Sequence, residues 1–209
     1  MTGSELVRFG VFADAHYADR VYGDRHCRDS QAKLAGCVEC FAGAGLDFAV
    51  CLGDLIDTDP EGGGGEADYA RAMAGAFARF PGPRHWVLGN HDVSALTKAQ
   101  FLAACGAEHP AWYSFDVRGV HFVVLDGNCH RDGTDFGPDG FDWADAWVAP
   151  EQLVWLAVDL ADAKDRPSVV LCHENLDHRL WQESLDPHVA RNAAQVRRTF
   201  AASGRVTAG

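Results

Sequence analysis

The amino-acid sequence predicts an α/β domain, and three observations support that fold class. Short apolar segments alternate with segments of helical periodicity from residue 6 to residue 92, the pattern of parallel strands joined by helices. A hairpin pattern follows, and a further helix, strand and helix come after it. The chain has 209 residues, 47% of them hydrophobic, which is enough for one core. Since neither a linker nor an internal repeat divides the sequence, we expect residues 1–209 to form a single domain.

The first half of the chain carries the alternating pattern. Each predicted strand is a short apolar run, each predicted helix has apolar residues at helical spacing, and Ser30 is placed to cap the first helix. The predicted elements are a strand at 6–13, a helix at 30–42, a strand at 48–52, a helix at 67–79 and a strand at 84–88. The glycine-rich stretch at 61–66 predicts a flexible loop, because no Gly-Lys-Ser/Thr follows it that would make it a phosphate cradle.

The second half changes to a mixed pattern. Arg118-Gly119 separates two β-type runs and predicts an antiparallel hairpin, while Pro150 opens a helix at a position where proline is pre-organised for it. The predicted elements are a helix at 97–104, strands at 112–117 and 120–126, a helix at 150–164, a strand at 168–172, a helix at 192–202 and a last segment at 205–208.

A long insert lies between the hairpin and the Pro150 helix, at residues 127–149. It contains five aspartates whose spacing does not match a calcium loop, which favours a solvated loop. Long loops without regular structure are often functional. Trp143 and Trp147 therefore either cover a site as part of a lid or simply pack against the domain.

The composition constrains the partners. A formal net charge of −12, from 30 acidic and 18 basic residues, disfavours nucleic acid and favours cations. No run approaches the roughly 20 apolar residues of a membrane span. The start of the chain shows no apolar signal segment, and the seven cysteines lack a framework spacing, with Cys37 and Cys40 in a helical pattern without a second pair. We therefore expect a cytoplasmic protein with reduced thiols.

Polar, metal-competent residues follow four of the predicted strands at the point where each strand ends. They are Asp14 and His16, then Asp54, then Asn90, His91 and Asp92, and finally His173. Ligands bind at the carboxyl ends of strands in open α/β sheets, so we expect these side chains to converge. Carboxylate, imidazole and amide oxygen together suit Mn, Fe or Zn. One aspartate can bridge two such ions, which clamp the attacking and leaving oxygens of a displacement.

The same residues form an ordered series of motifs. They read Asp14-Ala15-His16, Gly53-Asp54-Leu55-Ile56-Asp57, Gly89-Asn90-His91-Asp92 and His173. In these motifs and in their order the sequence resembles the calcineurin-like metallophosphoesterases, and the resemblance extends over essentially the whole chain. It implies a central β sandwich of parallel and antiparallel strands with helices outside. Residues 9–19 are also similar to the branch of manganese-dependent ADP-ribose/CDP-alcohol diphosphatases.

The resemblance also implies a set of metal ligands. Asp14 and His16 would hold the first metal, and Asp54 would bridge the two ions. Asn90 and His173 would hold the second metal. The cofactors would be two divalent or trivalent ions, Mn, Fe or Zn.

For the chemistry, the resemblance implies a metal-dependent hydrolase of phosphate esters or phosphoanhydrides. Metal-bound hydroxide would attack phosphorus in line. His91 would act on the leaving oxygen as a general acid or charge stabiliser, and Asp92 would orient His91. The expected partner is a small phosphate ester or a nucleotide-like molecule, while the oligomeric state is left open.

The sequence departs from the family pattern at one place. The family's final G-H-x-H motif, which supplies a histidine to each metal, does not occur, and residues 205–208 resemble the start of a buried strand. We therefore expect this chain to be a carboxyl-terminal truncation of a longer enzyme. Two alternatives stay open: a catalytically impaired binding or scaffold module of the same fold, or a frayed end with His178 or His188 as a substitute ligand. Otherwise we expect His130, His178 and His188 at the surface or in loops.

Overall fold

The computed structural model describes residues 7–58, 65–177 and 186–208. The strands are β1 (Phe9–Phe12), β2 (Phe48–Cys51), β3 (Arg84–Trp86), β4 (Tyr113–Val117), β5 (Val120–Val124), β6 (Ser168–Leu171) and β7 (Val206–Ala208). The α-helices are α1 (Ser30–Gly43), α2 (Glu66–Phe77), α3 (Lys98–Cys105), α4 (Pro150–Asp162) and α5 (Ala193–Ser203). Short 3₁₀ turns occur at Cys27–Asp29, His91–Val93 and Trp143–Asp145. Most of the predicted glycine-rich loop lies outside the described residues.

The strands form two sheets that pack face to face. The first has the order β1-β2-β3 and is parallel, while the second has the order β4-β5-β6-β7 and is antiparallel only between β4 and β5. Alternate residues of a strand face opposite sides, so Phe48 and Val50 of β2 point toward the second sheet. There Phe48 meets Phe122 of β5, with ring centroids 4.9 Å apart. The sandwich with mixed strand directions is confirmed.

Helices cover both outer faces of the sandwich. Ala49 and Cys51, the other two residues of β2, pack in one cluster with α1, α2 and α3, whose contributions include Val38, Met73 and Phe101. A separate cluster joins β5 and β6 to α4 and α5. The buried faces are thus occupied by packing, and the strand ends are left for a site. Within the described part of the chain, no helix combines the length and hydropathy that a membrane crossing requires.

The elements are found where the sequence predicts them, but several strands end earlier than their apolar runs. β2 ends at Cys51, β3 at Trp86 and β6 at Leu171, whereas the runs predict strands to residues 52, 88 and 172. Val87 and Leu88 are buried without belonging to a strand. Hydrophobicity predicts burial, and burial continues into the turns that carry the polar residues. The last predicted segment is confirmed as a strand, β7, although it is only partly buried.

The insert at 127–149 is tied to the domain at its ends, while most of its aspartates are exposed as expected of a solvated loop. The Trp147 N–H donates to the Cys129 carbonyl at 3.0 Å. The largely buried Lys98 ammonium lies 2.5 Å from Asp135 Oδ1. These contacts give the loop a fixed course over the edge of the sandwich.

Candidate metal centre

The loops after β1 and β2 stay paired beyond the strands and place the first three polar residues. The Asp14 N–H donates to the Gly53 carbonyl at 3.0 Å, and the His16 N–H donates to the Asp54 carbonyl at 2.9 Å. These bonds continue the contact between the two parallel strands into their loops. As a result, Asp14, His16 and Asp54 are held together at the carboxyl edge of the first sheet.

These loops hold an unusual backbone. Five residues other than glycine have positive φ in the described part of the chain, and three of them are Asp14, His16 and Asp54, at 55°, 46° and 52°. Sparsely populated backbone conformations cost on the order of 1–3 kcal/mol each and cluster at functional sites. The concentration of three such residues at one sheet edge therefore points to a functional site there.

Two glycines allow neighbouring loops to approach each other closely. A Cβ on Gly53, whose φ is 97°, would lie 2.6 Å from the Gly89 nitrogen and 2.7 Å from His173 Nδ1. A Cβ on Gly89 would overlap the nitrogen and Oδ1 of Asp54. Side chains at these two positions would push the loops after β3 and β6 away from Asp54.

Asp54 is the centre of the polar cluster. Its Oδ2 lies 3.5 Å from His16 Nε2, and its Oδ1 lies 3.5 Å from His173 Nε2. Asp14 Oδ1 is 3.8 Å from His16 Nε2, and Asn90 Oδ1 is 3.2 Å from His173 Nε2. The structure therefore brings all five predicted metal ligands together, and the two oxygens of the buried Asp54 face different histidines.

The donor set fits metal ions. His173 Nδ1 donates to the Leu52 carbonyl at 2.8 Å, which fixes the ring and directs Nε2 at the oxygens of Asp54 and Asn90. Burial lowers the pKa of His173, but the hydrogen bond with Asp54 and the charges of Glu174 and Asp54 outweigh burial and raise the pKa to about 10. The raised pKa reflects the oxygens gathered around Nε2, and metal ions bind to histidine by displacing its proton.

Two groups of ligand atoms share Asp54. Asp14, Asp54 and His173 form one group, and His16, Asp54 and His91 form the other, with the ligand atoms of each group within 4.8 Å of one another. The resemblance pairs Asp14 with His16 and does not count His91 as a ligand, so the structure adds His91 to the residues that can reach a metal. Burial lowers the pKa of His16 against the raising effect of Asp54, which favours the neutral, metal-binding form of that ring.

His91 stands between the metal cluster and a second polar network. Its Nδ1 lies 2.9 Å from Asp57 Oδ1, and its ring meets the His16 ring edge-on, with centroids 4.6 Å apart. The buried Asp57 also binds Arg20 and Arg25, each at 3.0 Å. Burial lowers the pKa of His91, but the hydrogen bond with Asp57 and the charges of nearby carboxylates outweigh burial and raise the pKa. A raised pKa suits a residue that donates a proton near neutral pH.

Asp92 does not contact the His91 ring, so the prediction that it orients His91 is wrong. Its carboxylate is completely buried. It accepts backbone N–H groups at 2.8–3.2 Å from Leu55, Ile56 and Gly89. Successive side chains of a 3₁₀ turn point about 120° apart, and the turn at His91–Val93 sends Asp92 inward while His91 faces the rim. The orienting carboxylate is Asp57, the last residue of the Gly-Asp-x-x-Asp motif, to which the sequence analysis assigned no role.

A cavity of about 480 Å³ opens beside the cluster. One part of its wall is formed by the metal-ligand candidates Asp14, Asn90 and His173. The remaining wall includes Trp143 and His188, which the sequence offered as a lid residue and as a substitute ligand, and also Glu174, Asn175 and Asp186, for which the sequence carries no signal. The Trp143 and His188 rings lie 5.2 Å apart between centroids. Trp143 therefore lines the cavity beside the cluster, and its role as part of a lid stays a prediction.

The other three candidate histidines, His130, His178 and His188, lie outside the polar cluster or outside the described residues. His188 has an exposed side chain, 3.3 Å from Asp186 Oδ1, and neither ligand group of the described residues includes it. His130 packs edge-on against Phe136, with ring centroids 4.8 Å apart. His178 lies outside the described residues.

Carboxylates, an amide and histidines gathered around one shared aspartate at a sheet edge define a metal-dependent hydrolytic site. The family model for calcineurin-like phosphoesterases matches residues 7–199, and the chain belongs to this family, whose members use two metal ions. The chain is also similar to solved structures. A dimetal phosphatase from Danio rerio matches with a TM-score of 0.77 and 18% identity, over 96% of this chain and 79% of that chain.

A purple acid phosphatase from yellow lupin seeds matches with a TM-score of 0.45 and 17% identity, over 84% of this chain and 31% of that chain. Among curated proteins, none matches this sequence. The likeness to the Danio rerio structure shows the fold, and the family match shows the class: a metal-dependent phosphoesterase.

Proposed function

We propose that this chain hydrolyses phosphate esters or phosphoanhydrides of small, nucleotide-like molecules with two ions, Mn, Fe or Zn. The observation that carries the proposal is Asp54, whose two oxygens each lie 3.5 Å from a different histidine. Asp14, His16, Asn90 and His173 complete the ligand set. When bound, the ions supply positive charge to the phosphoryl oxygens and lower the pKa of water toward neutrality.

His91 is the proton donor in this proposal. Asp57 holds its Nδ1 at 2.9 Å, so Nε2 is the nitrogen available to the substrate. As the bond from phosphorus to the leaving oxygen breaks, the Nε2 proton moves to that oxygen, or the positive ring stabilises its negative charge. Burial raises the pKa of Asp57, but the hydrogen bonds and charges of His91 and Arg20 outweigh burial and hold that pKa well below its usual range, so Asp57 stays an acceptor for His91 Nδ1.

The wall opposite the ligands supports a nucleotide-like substrate. Trp143 is 42% exposed and offers a ring face next to His188, and aromatic side chains stack well on bases. Glu174 lines the same wall, and its Oε1 is buried without a hydrogen-bond partner among the described residues. Because the described part of this wall has no lysine or arginine, it suits the organic part of a substrate better than its phosphate.

A binding module of the same fold is the second candidate. Its basis is the number of ligands, since each metal has three protein ligands among the residues assigned by resemblance. Water can fill an open coordination position, so we expect metal to bind, though less tightly than with the full set. All seven cysteines are free, which supports a reducing, cytoplasmic setting for either candidate.

Metal content and hydrolysis, measured on the same preparations, separate the two candidates. The chain is loaded with Mn²⁺, its metal content is determined, and its rate with para-nitrophenyl phosphate is compared with that of the metal-free chain. We expect hydrolysis only with metal. His91→Ala should lower kcat about 10²–10⁴-fold, the usual contribution of general acid–base catalysis, with nearly unchanged metal content.

His130→Ala is the matched control, because His130 is also half-buried and lies outside both ligand groups. Its kcat should equal that of the unmodified chain. Metal binding without hydrolysis would favour the binding module, and unchanged kcat in His91→Ala would remove His91 from the chemistry. Loss of metal in that variant would make His91 a ligand, whereas no metal binding by the unmodified chain would refute the proposal.

A further inference from the structure

A second cavity lies on the other side of Asp14. It has a volume of about 380 Å³ and is bounded by the loop after β1 and the first turns of α1. Three basic residues line it, Arg25, His26 and Lys33, together with the acidic residues Asp14 and Asp24. Asp14 lines both this cavity and the one that contains Trp143, so the metal cluster borders a basic wall on one side and an aromatic, acidic wall on the other.

The basic wall stands out in a protein with this charge balance. The chain has 18 lysines and arginines against 30 acidic residues, yet three basic side chains meet at this one cavity. Within the described residues, the exposed side chains of His26 and Lys33 make no hydrogen bond or ion pair. The Lys33 ammonium and the His26 ring are therefore available to an anion from solution.

Arg25 connects the basic wall to the catalytic network. Its Nη1 donates to Asp57 Oδ2 at 3.0 Å and lies 3.4 Å from His16 Nδ1. Its side chain is nevertheless 43% exposed. A guanidinium has five N–H groups, and both of these contacts are made by Nη1 alone. An anion that binds Arg25 in this cavity therefore lies next to the metal centre, close to Asp57.

We propose that this cavity binds a second anionic group of the substrate, a phosphate or a carboxylate, while the reacting phosphate lies at the metal cluster. The inference rests on the proposed function. Charge-assisted hydrogen bonds from arginine and lysine are the usual means by which proteins hold such groups. Lys33 and His26 supply contacts to the second group, and Arg25 spans the distance between it and the cluster.

The two walls together orient the substrate. The Trp143 wall has Glu174 and Asp186 and, among its described residues, no lysine or arginine, so it repels an anion. The basic wall attracts one. A substrate with an uncharged aromatic part and a second anionic group therefore binds with the aromatic part toward Trp143 and the anionic group toward Lys33.

The test uses phosphonates, because they bind like phosphates and are not hydrolysed. The chain with excess Mn²⁺ is titrated in a calorimeter with methylphosphonate, ethylene-bridged diphosphonate and phosphonopropionate, and the heat of metal binding to each ligand without protein is subtracted. We expect the two ligands with a second anionic group to bind about tenfold more tightly than methylphosphonate, since several exposed charge contacts add up to that order. A gain for the diphosphonate alone would identify the second group as a phosphate.

Lys33→Glu should bring this affinity ratio close to one. Lys164→Glu is the matched control, since Lys164 is also exposed and precedes the amino end of β6, at the opposite edge of the sheet. Its ratio should stay near ten. Equal affinities for all three ligands would overturn the inference and leave the proposed function intact. An equal fall of the ratio in both variants would also overturn it, because the effect would then be one of net charge. If methylphosphonate does not bind the metal-loaded chain at all, the proposed function fails as well.

Discussion

The two sheets contribute to the site in different ways. The short loops after the first sheet carry most of the polar cluster, namely Asp14, His16, Asp54, Asn90 and His91. The second sheet adds His173 directly after β6, and the long segments connected to this sheet add Trp143, Glu174 and His188. The residues suited to chemistry therefore lie mainly on loops fixed by the first sheet, and those suited to recognition lie mainly on segments from the second.

Burial and bonding also differ between residues of the two regions, although Asp14 of the first is exposed and Glu174 of the second is buried. Asp54 is 4% exposed and Asp57 is 1% exposed, whereas Trp143 is 42% exposed. The loops after β1 and β2 are joined by backbone hydrogen bonds from Asp14 and His16. Positions that hold reacting groups need geometry fixed to a fraction of an ångström, and a recognition wall tolerates more variation. Substitutions in the two regions should therefore differ in kind as well as in size.

The largest effect is expected from Asp54→Ala. Loss of the shared aspartate should weaken binding of both ions by more than about 100-fold, because even an outer-shell partner is worth about 10–100-fold. His173→Ala, on the second sheet, should weaken binding of one ion and leave Asp14, His16 and Asp54 for the other. Metal titration of both variants compares the sheets directly, and Asp68→Ala, at an exposed position of α2, is the control. Similar losses in both variants would show that the sheets are equally important for metal binding.

Smaller effects are expected from substitutions of Asp57 and Asp92, one on kcat and the other on stability. Asp57→Asn should lower kcat about 10–100-fold, the usual cost of losing a carboxylate that orients a catalytic group. Asp92→Asn should instead lower the free energy of unfolding by about 1–3 kcal/mol, because one of the backbone N–H groups that Asp92 binds would face an amide N–H₂. Steady-state kinetics and denaturant unfolding of both variants measure the two quantities. A larger fall in kcat for Asp92→Asn, at unchanged stability, would return the orienting role to Asp92.

The sequence predicts the polar loops of the first sheet well, and the reason is physical. Apolar runs mark the buried strands, and the polar residues directly after them must lie at the carboxyl edge because parallel strands end together there. Asp14, Asp54, Asn90 and His173 all follow such runs, so their convergence follows from the fold. Their roles as ligands stay a prediction, since the geometry shows that they meet and metal titration decides what they bind.

The sequence predicts the walls of the two cavities poorly, and the reason is also physical. Trp143 and His188 come together through long segments without periodicity, so no local pattern connects them. Arg25 and Lys33 meet Asp14 at a cavity although they lie on a loop and a helix with no shared motif. For Asp92, the resemblance implied that it orients His91, but a tight turn sends neighbouring side chains in different directions. These contacts depend on the path of loops, which hydrophobic periodicity does not encode.

The smallest effect is expected from Trp143→Ala, which tests whether the Trp143 wall contacts the substrate. Trp143→Ala should raise KM for para-nitrophenyl phosphate about fivefold at unchanged kcat, because stacking of one ring is worth about 1–3 kcal/mol and the lower end applies to a half-exposed platform. Trp143→Phe keeps a ring face and should restore most of the affinity. Glycerol phosphate, which has no ring, is the internal control, and its KM should be the same in all three proteins. A parallel rise of KM for both substrates, or a fall in kcat, would mean that Trp143 supports the structure of the insert instead of contacting the substrate. In that case the segments connected to the second sheet would no longer be assigned to substrate recognition, since Trp143 and His188 are the aromatic residues that the described wall of this cavity offers.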